Sequence, residues 1–210
     1  MRTILCYGDS NTWGYDPVQK CRLGKNERWG GVLRNQLGND YWVIEEGLGG
    51  RTTVWDDPIE GEKNGKKYLI PCLESHKPLD LVILMLGTND LKHRFSLTAF
   101  DIAKGAGTLV GMIQNSKCGL DNQAPQILLL APPPVSKLTE LKEMFKDAEE
   151  KSQKFGQYYQ EIAKEFGSHF LDVSKFIVSS DMDGIHFDKN EHDKLGKAVA
   201  QKVLEIFSHN

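Results

Sequence analysis

A serine near the start of the chain and an aspartate–histidine pair near its end are the residues with the clearest chemical potential. Ser10 lies in residues 8–11, Gly-Asp-Ser-Asn, directly after the short apolar run Thr3–Tyr7. Asp183 and His186 stand three residues apart with glycine and isoleucine between them. A serine hydroxyl is a good nucleophile only beside a base, and that base needs an acid to hold it in one tautomer. The three side chains therefore predict a hydrolase that works through a serine nucleophile.

The choice of acid and base has rivals nearby in the chain. The competing residues are Asp181, Asp188 and His192. Gly184 favours the pair Asp183 and His186, because a turn at glycine lets the carboxylate fold back onto the ring. The carboxylate would then hold the Nδ1 proton and leave Nε2 free to accept from Ser10.

Two further segments offer groups that stabilise a developing negative charge. Residues 87–90, Gly-Thr-Asn-Asp, follow the most apolar run of the chain, so we expect the Asn89 amide at a strand end. Residues 47–53, Gly-Leu-Gly-Gly-Arg-Thr-Thr, follow another strand, and their glycines allow a backbone N–H to approach a substrate. Taken singly, Ser10 is better interpreted as a helix cap, and Asn89 is at least as well interpreted as one. Their shared position at strand ends favours a catalytic site.

Alternating apolar patterns predict the elements that position these residues. Apolar runs rich in leucine or β-branched residues predict five strands: Thr3–Tyr7, Trp42–Glu46, Leu79–Leu86, Gln126–Leu130 and His169–Val173. Amphipathic patterns predict five helices: Trp29–Leu37, Tyr68–His76, Thr98–Asn115, Thr139–Phe166 and Asn190–Phe207. Strands that are apolar on both faces and alternate with helices predict an α/β fold with a parallel sheet. Loops at the carboxyl ends of such strands build the ligand crevice.

Composition limits the classes of partner and the compartment. The 210 residues fit a single domain over 1–210, and 26 basic against 29 acidic residues leave a net charge of -3. This mild acidity predicts binding to neither nucleic acid nor a membrane surface. Four cysteines without paired spacing predict reduced thiols rather than a disulfide or a zinc site. No signal-peptide pattern precedes the first strand, so the expected location is cytoplasmic.

The four motifs together resemble the conserved blocks of the SGNH (GDSL-type) esterase family. They are Gly-Asp-Ser at 8–10, Gly50, Gly-Thr-Asn-Asp at 87–90, and Asp183-x-x-His186. Residues 8–15 and 50–53 also resemble a subgroup of bacterial aryl esterases, one member of which is an octameric acyltransferase. The resemblance implies a flavodoxin-like three-layer α/β/α sandwich with about five parallel strands in the order 2-1-3-4-5. It also implies a homo-oligomer, with an octamer as the example.

The resemblance assigns roles to individual residues. It implies that Ser10 is the nucleophile, His186 the general base and Asp183 the orienting acid. The implied oxyanion hole consists of the Ser10 and Gly50 backbone N–H groups and the Asn89 side chain. The implied substrate is a small ester, and neither a cofactor nor a metal is required.

Bulky residues near the predicted site point to a pocket for short acyl groups. The predicted pocket residues are Trp13, Pro133 and Ile185. Trp13 and Ile185 flank the reacting side chains in sequence, and Pro133 belongs to a proline-rich loop after a strand. Trp13 fits an anchor in the core equally well.

Three other functions compete with an aryl or alkyl esterase. A carbohydrate O-acetylesterase would share every motif and the mechanism. A flavodoxin-like module that binds a nucleotide or phosphate lacks support. Neither of the phosphate-binding patterns Gly-x-x-x-x-Gly-Lys-Ser/Thr and Gly-x-Gly-x-x-Gly occurs in the chain. A metal-dependent hydrolase lacks a ligand motif such as His-Glu-x-x-His.

Overall fold

A parallel sheet organises residues 1–208, the part of the chain that the computed structural model describes. Its strands are β1 (Arg2–Gly8), β4 (Tyr41–Gly47), β5 (Leu81–Met85), β6 (Gln126–Ala131) and β7 (His169–Asp172). They lie in the order β4-β1-β5-β6-β7, which is 2-1-3-4-5 when only these strands are numbered. The predicted strand order is therefore confirmed. The last two residues of the domain predicted over 1–210 lie outside the described part.

Helices follow the strands as the alternating pattern predicts. They are α1 (Ser10–Trp13), α2 (Trp29–Leu37), α3 (Gly65–His76), α4 (Ala99–Gln114), α5 (Ala148–Ser152), α6 (Phe155–Phe166) and α7 (Lys189–Ser208). A small antiparallel pair, β2 (Tyr15–Asp16) with β3 (Cys21–Arg22), follows α1 and was not predicted. Its strands are too short for a recognisable period.

The two faces of β1 show how the three layers are built. Ile4 and Cys6 join the core formed with α2 and α7, whereas Leu5 and Tyr7 join the core formed with α3, α4 and α6. Successive side chains of a strand point to opposite faces, so a strand that is apolar throughout is buried on both sides. The three-layer α/β/α sandwich is confirmed.

The predicted helix Thr139–Phe166 is wrong over its first third, residues 139–147. Asp147 has a left-handed φ of 68°, which a right-handed helix does not accommodate, and helical structure begins only with α5 and α6. Phe145, which is 3% exposed, anchors the preceding turns in the core. Burial of this ring in an irregular segment outweighed the local helix propensity.

The structure also bears on membrane-spanning helices and on the state of the cysteines. Within residues 1–208, no helix combines the length and the apolar character needed to span a bilayer. The cysteines are all free thiols, with Cys21 exposed and Cys6, Cys72 and Cys118 buried.

Close packing of β4 against α1 predicts a strong effect of Gly47→Ala. A Cβ at Gly47 would lie 2.1 Å from the backbone nitrogen of Trp13, and backbone atoms of a capped helix cannot move aside cheaply. We expect the substitution to lower the free energy of unfolding by about 1–3 kcal/mol. Urea unfolding measures the change.

Gly49→Ala is the matched control, because a Cβ there meets no heavy atom within 4 Å. It should unfold at nearly the wild-type urea concentration. Equal stability of the two variants would show that α1 does not pack on β4 as described.

Candidate active site

Ser10 lies at a sharp turn between β1 and α1. The strand ends at Gly8, and Asp9 caps the helix by accepting a hydrogen bond from the Asn11 backbone N–H at 2.9 Å. Asp9 is the preferred kind of capping residue. Ser10 is the first residue of the helix, so its backbone N–H has no partner within the helical turn. The turn therefore presents a hydroxyl and an N–H donor at the same edge of the sheet.

The loop before α7 folds Asp183 onto His186, as the glycine between them predicts. Gly184 has a φ of 83°, a conformation that favours glycine. Asp183 Oδ1 accepts from the backbone N–H groups of Ile185 and His186, each at 2.9 Å. Asp183 Oδ2 lies 2.6 Å from His186 Nδ1. Both carboxylate oxygens are thus used to hold the loop and the ring.

Ser10 and His186 lie side by side although they are far apart in the sequence. His186 Nε2 lies 3.0 Å from Ser10 Oγ, although the residues are 176 positions apart. An ionised carboxylate only accepts, so the proton shared with Asp183 belongs to Nδ1, and Nε2 is the ring nitrogen that can accept from the Ser10 hydroxyl. Asn11 Nδ2 donates to the Ile185 carbonyl at 3.3 Å. This bond joins the turn that carries Ser10 (the serine turn) to the loop that carries Asp183 and His186 (the histidine loop).

Electrostatics favour an ionised Asp183. Burial works to raise the pKa of its carboxyl, but the hydrogen bond and charge of His186 and the two backbone donors outweigh burial. The pKa of Asp183 is therefore held below its ordinary value. A carboxylate in this state holds the Nδ1 proton of His186 in place.

The rival residues have other partners. Asp181 accepts from Ser136 Oγ, and Asp188 accepts from Ser180 Oγ. His192 is fully buried, accepts from the Trp29 backbone N–H through Nδ1, and has a pKa lowered to about 3 by burial and by the charge of His186. His192 is therefore an uncharged core histidine.

Gly50 lies in a tight turn that is joined to the end of β1. The Arg51 N–H donates to the Leu48 carbonyl at 3.1 Å, and Gly50 has a φ of 81°, as the third residue of a type II turn requires. The Gly8 carbonyl accepts from both the Leu48 N–H and the Arg51 guanidinium. These bonds hold the Gly50 turn beside the Ser10 turn.

Asn89 lies where the segments after β1, β4 and β5 meet. Its Nδ2 donates to the Arg51 carbonyl at 3.2 Å and approaches Asp9 Oδ2 at 3.5 Å. The bond to Asp9 is long and easily exchanged. An oxyanion near Ser10 would compete with that carboxylate for one amide hydrogen.

The carboxyl groups of Asp9 and Asp90 are buried close to the point where these segments meet. Burial raises the pKa of Asp9 to about 6, against the lowering effects of the Asn11 N–H and the charges of His186 and Arg51. Burial also raises the pKa of Asp90 to about 7, although Thr53 donates to it through its N–H and its hydroxyl. The charge of Asp9 adds to the shift of Asp90.

The predicted pocket residues occupy different surroundings. Trp13 is half-buried, with the Arg22 guanidinium 4.9 Å from the centre of its ring system. Pro133 is buried, and Ile185 is 4% exposed within the core that includes α3, α4 and α6. Tyr15, which was not predicted, lies with its ring 4.4 Å from the ring of His186.

The residues that join the segments were not predicted from the sequence. Asn11 and Thr53 make the joining hydrogen bonds, and the Arg51 guanidinium lies 4.2 Å from the centre of the Tyr7 ring. All three residues are buried. A polar or charged residue beside each proposed catalytic position was the available signal, but their partners are distant in sequence.

Comparison with protein families decides the membership of the chain. The model of the GDSL-like lipase/acylhydrolase family matches residues 6–193, which include Ser10, Gly50, Asn89, Asp183 and His186. The chain belongs to this family. It is a carboxylic ester hydrolase, as its SGNH motifs predict. A comparison with curated protein sequences finds no match.

Solved structures of this family resemble the chain over nearly its whole length. The aryl esterase of M. smegmatis is 41% identical, with a TM-score of 0.94 over 98% of this chain and 99% of that one. A carbohydrate acetylesterase from Sinorhizobium meliloti is 40% identical, with a TM-score of 0.95 over 98% and 100%. A lipase/acylhydrolase from Enterococcus faecalis, at 18% identity and a TM-score of 0.67 over 97% and 95%, shares the fold.

Replacing Asp90 by asparagine should change how stability depends on pH. The pKa of Asp90 is about 7 in the folded protein against an ordinary 3.8, so the folded state holds more protons between these values. The free energy of unfolding therefore falls as pH rises through this window. Asp90→Asn removes this contribution and should flatten the fall by up to about 1.4 kcal/mol per pH unit.

Urea unfolding at a series of pH values across the window measures the slope. Asn keeps one oxygen for the Thr53 N–H, which preserves part of the bonding. Asp40→Asn, which removes an exposed carboxyl, is the control and should follow the wild type. A wild-type slope in Asp90→Asn would contradict the buried, proton-binding carboxyl.

Proposed function

We propose that the protein is a serine esterase that hydrolyses short-chain aryl or alkyl esters through an acyl-enzyme. Ser10 is the nucleophile, His186 the general base and Asp183 the acid that orients it. The observation that carries the proposal is the hydrogen-bonded chain from Asp183 Oδ2 through the imidazole to Ser10 Oγ, at 2.6 and 3.0 Å. These distances are within hydrogen-bonding range for proton transfer.

The reaction proceeds in two halves. Ser10 Oγ attacks the ester carbonyl while His186 Nε2 takes its proton, and a tetrahedral oxyanion forms. The intermediate collapses to an acyl-serine, and the imidazolium returns the proton to the departing alcohol. Water then attacks the acyl-serine with His186 again as the base, and the second intermediate releases the carboxylic acid and restores the Ser10 hydroxyl.

The proposed oxyanion hole combines three donors. They are the backbone N–H groups of Ser10 and Gly50 and the side-chain amide of Asn89. Support comes from the hydrogen bonds that join the three segments: Leu48 to Gly8, and Asn89 to Arg51. Losing one donor of this kind costs an esterase or protease on the order of 10²–10³ in kcat.

The acyl pocket is proposed to be narrow. Trp13 lies one helical turn beyond Ser10, and the proline loop is joined to the histidine loop by a hydrogen bond from the Ser136 N–H to the Gly184 carbonyl at 2.9 Å. We expect these neighbours, with Pro133 and Ile185, to restrict the acyl pocket to acetyl and other short groups.

Three further properties belong to the same proposal. The acyl-serine transfers its acyl group to another alcohol where that alcohol outcompetes water. The protein assembles as a homo-oligomer, as the resemblance to the octameric subgroup implies. It acts in the cytoplasm, which is supported by its free thiols, including the exposed Cys21.

Ser10→Ala should abolish turnover through the acyl-enzyme. We expect kcat to fall by a factor on the order of 10⁴ or more, because the nucleophile is lost. Release of p-nitrophenol from p-nitrophenyl acetate measures it. A sulfonyl fluoride should add one covalent group to the wild type, and peptide mass spectrometry should locate it on Ser10.

Ser208→Ala, which removes an exposed hydroxyl at the end of α7, is the control. It should keep wild-type activity and should still be labelled at Ser10. Near-normal ester turnover by Ser10→Ala, or labelling of another serine, would end this proposal.

A chain-length series tests the pocket and the substrate class. With p-nitrophenyl esters, kcat/KM should fall at least about tenfold from acetate to octanoate, because added methylenes have no room. Trp13→Ala should reduce that fall. Preference of the wild type for octanoate would refute the narrow pocket.

The second candidate is a carbohydrate O-acetylesterase, which the similarity to the acetylesterase of Sinorhizobium meliloti favours. Both functions use the same residues, so only substrate comparison separates them. We expect a higher kcat/KM on phenyl acetate than on acetylated xylo-oligosaccharides. The reverse order would replace the aryl or alkyl ester by a sugar ester.

A further inference from the structure

Three potential metal ligands converge beside the end of β4. Glu46 lies in β4, and Cys72 and His76 lie one turn apart on α3, so both face the strand. The ligand atoms of the three residues all lie within 4.8 Å of one another. His76 Nε2 and Glu46 Oε1 are 2.9 Å apart.

We propose that Glu46, Cys72 and His76 form a zinc-binding site. Thiolate, imidazole and carboxylate are the three ligand types that Zn²⁺ takes in proteins. A sulfur and a nitrogen ligand disfavour Mg²⁺ and Ca²⁺, which prefer oxygen. Zinc–ligand bonds of about 2.0–2.3 Å at tetrahedral angles place ligand atoms roughly 3.3–3.6 Å apart. Small side-chain rotations reach that spacing from the present one.

The site has an access route from solvent. The side chains of His76 and Glu46 are 26% and 23% exposed, whereas Cys72 is buried. A cavity of about 460 Å³ borders Glu46 and Tyr68, so water can reach the Glu46 side of the cluster. Binding forms one Zn–S, one Zn–N and one Zn–O bond, and the Cys72 thiol proton passes to solvent.

A bound zinc ion would join β4 to α3 near the Gly50 turn, which carries one of the proposed oxyanion donors. Glu46 immediately precedes Gly47, and its backbone carbonyl accepts from the Arg51 guanidinium. The ion would therefore stabilise the folded state, since it binds ligands that converge only on folding. None of its ligands belongs to the Ser10–His186–Asp183 chain, so ester hydrolysis does not require it.

Metal titration of the purified full chain tests the site. After treatment with a chelator, Zn²⁺ should bind with a stoichiometry of one per chain, measured by competition with a chromophoric chelator. Cys72→Ser and His76→Gln should each weaken binding at least about 100-fold, because even outer-shell changes cost 10–100-fold. Co²⁺ should give a thiolate-to-metal absorption band that Cys72→Ser removes. Zn²⁺ should raise the melting temperature of the wild type but not of His76→Gln.

The controls remove one exposed thiol or imidazole elsewhere, in Cys21→Ser and His93→Gln. Both should keep wild-type affinity, and all four variants should keep ester hydrolysis. His76 is partly exposed, so His76→Gln tests the site even if Cys72→Ser disturbs the core. Failure to bind Zn²⁺ at micromolar concentration, or binding that survives both ligand substitutions, would overturn the proposal. Loss of binding only in His186→Ala would place the ion at Ser10 instead.

Discussion

The parallel register of three neighbouring strands is the constraint on which the site depends. Gly8 of β1 pairs with Gly47 of β4 and with Met85 of β5, so the three strands end at one level. Parallel strands deliver the following loops to the same edge of the sheet. Ser10, the Gly50 turn and Asn89 meet because of this register. A shift by one residue in any of the three strands would move its loop away and turn its apolar side chains to the other face.

Buried polar groups then hold those loops in position, and they are costly. Asp9 and Asp90 lose hydration in the interior, which raises the pKa of each carboxyl. Hydrogen bonds from Asn11 and Thr53 offset part of that cost, and the Arg51 guanidinium supplies a nearby positive charge. Buried polar groups without partners are expensive, so this network is stable in very few arrangements. It therefore fixes the geometry around Ser10 more narrowly than apolar packing would.

The histidine loop is also held by hydrogen bonds of polar groups, but most of these bonds are local. Asp183 uses one oxygen for two backbone N–H groups and the other for the ring of His186. The left-handed Gly184 makes this fold possible within four residues. One long-range bond, from Asn11 to the Ile185 carbonyl, then docks the preformed loop on the serine turn. Local structure brings Asp183 and His186 together, and tertiary structure only has to dock this pair on the serine turn.

The sequence by itself determined the class of fold, most of the elements and the proposed Ser10, Asp183 and His186 grouping. Strands that are apolar on both faces and amphipathic helices are local patterns, and the Asp-Gly-Ile-His spacing is a local signal. Only the tertiary structure decided the break before α5, the short β2–β3 pair, the neutral state of His192 and the convergence of Glu46, Cys72 and His76. The reason is physical: chain-local periodicity sets what each segment becomes, whereas strand register and burial set which distant side chains touch. Those contacts in turn set their charge states.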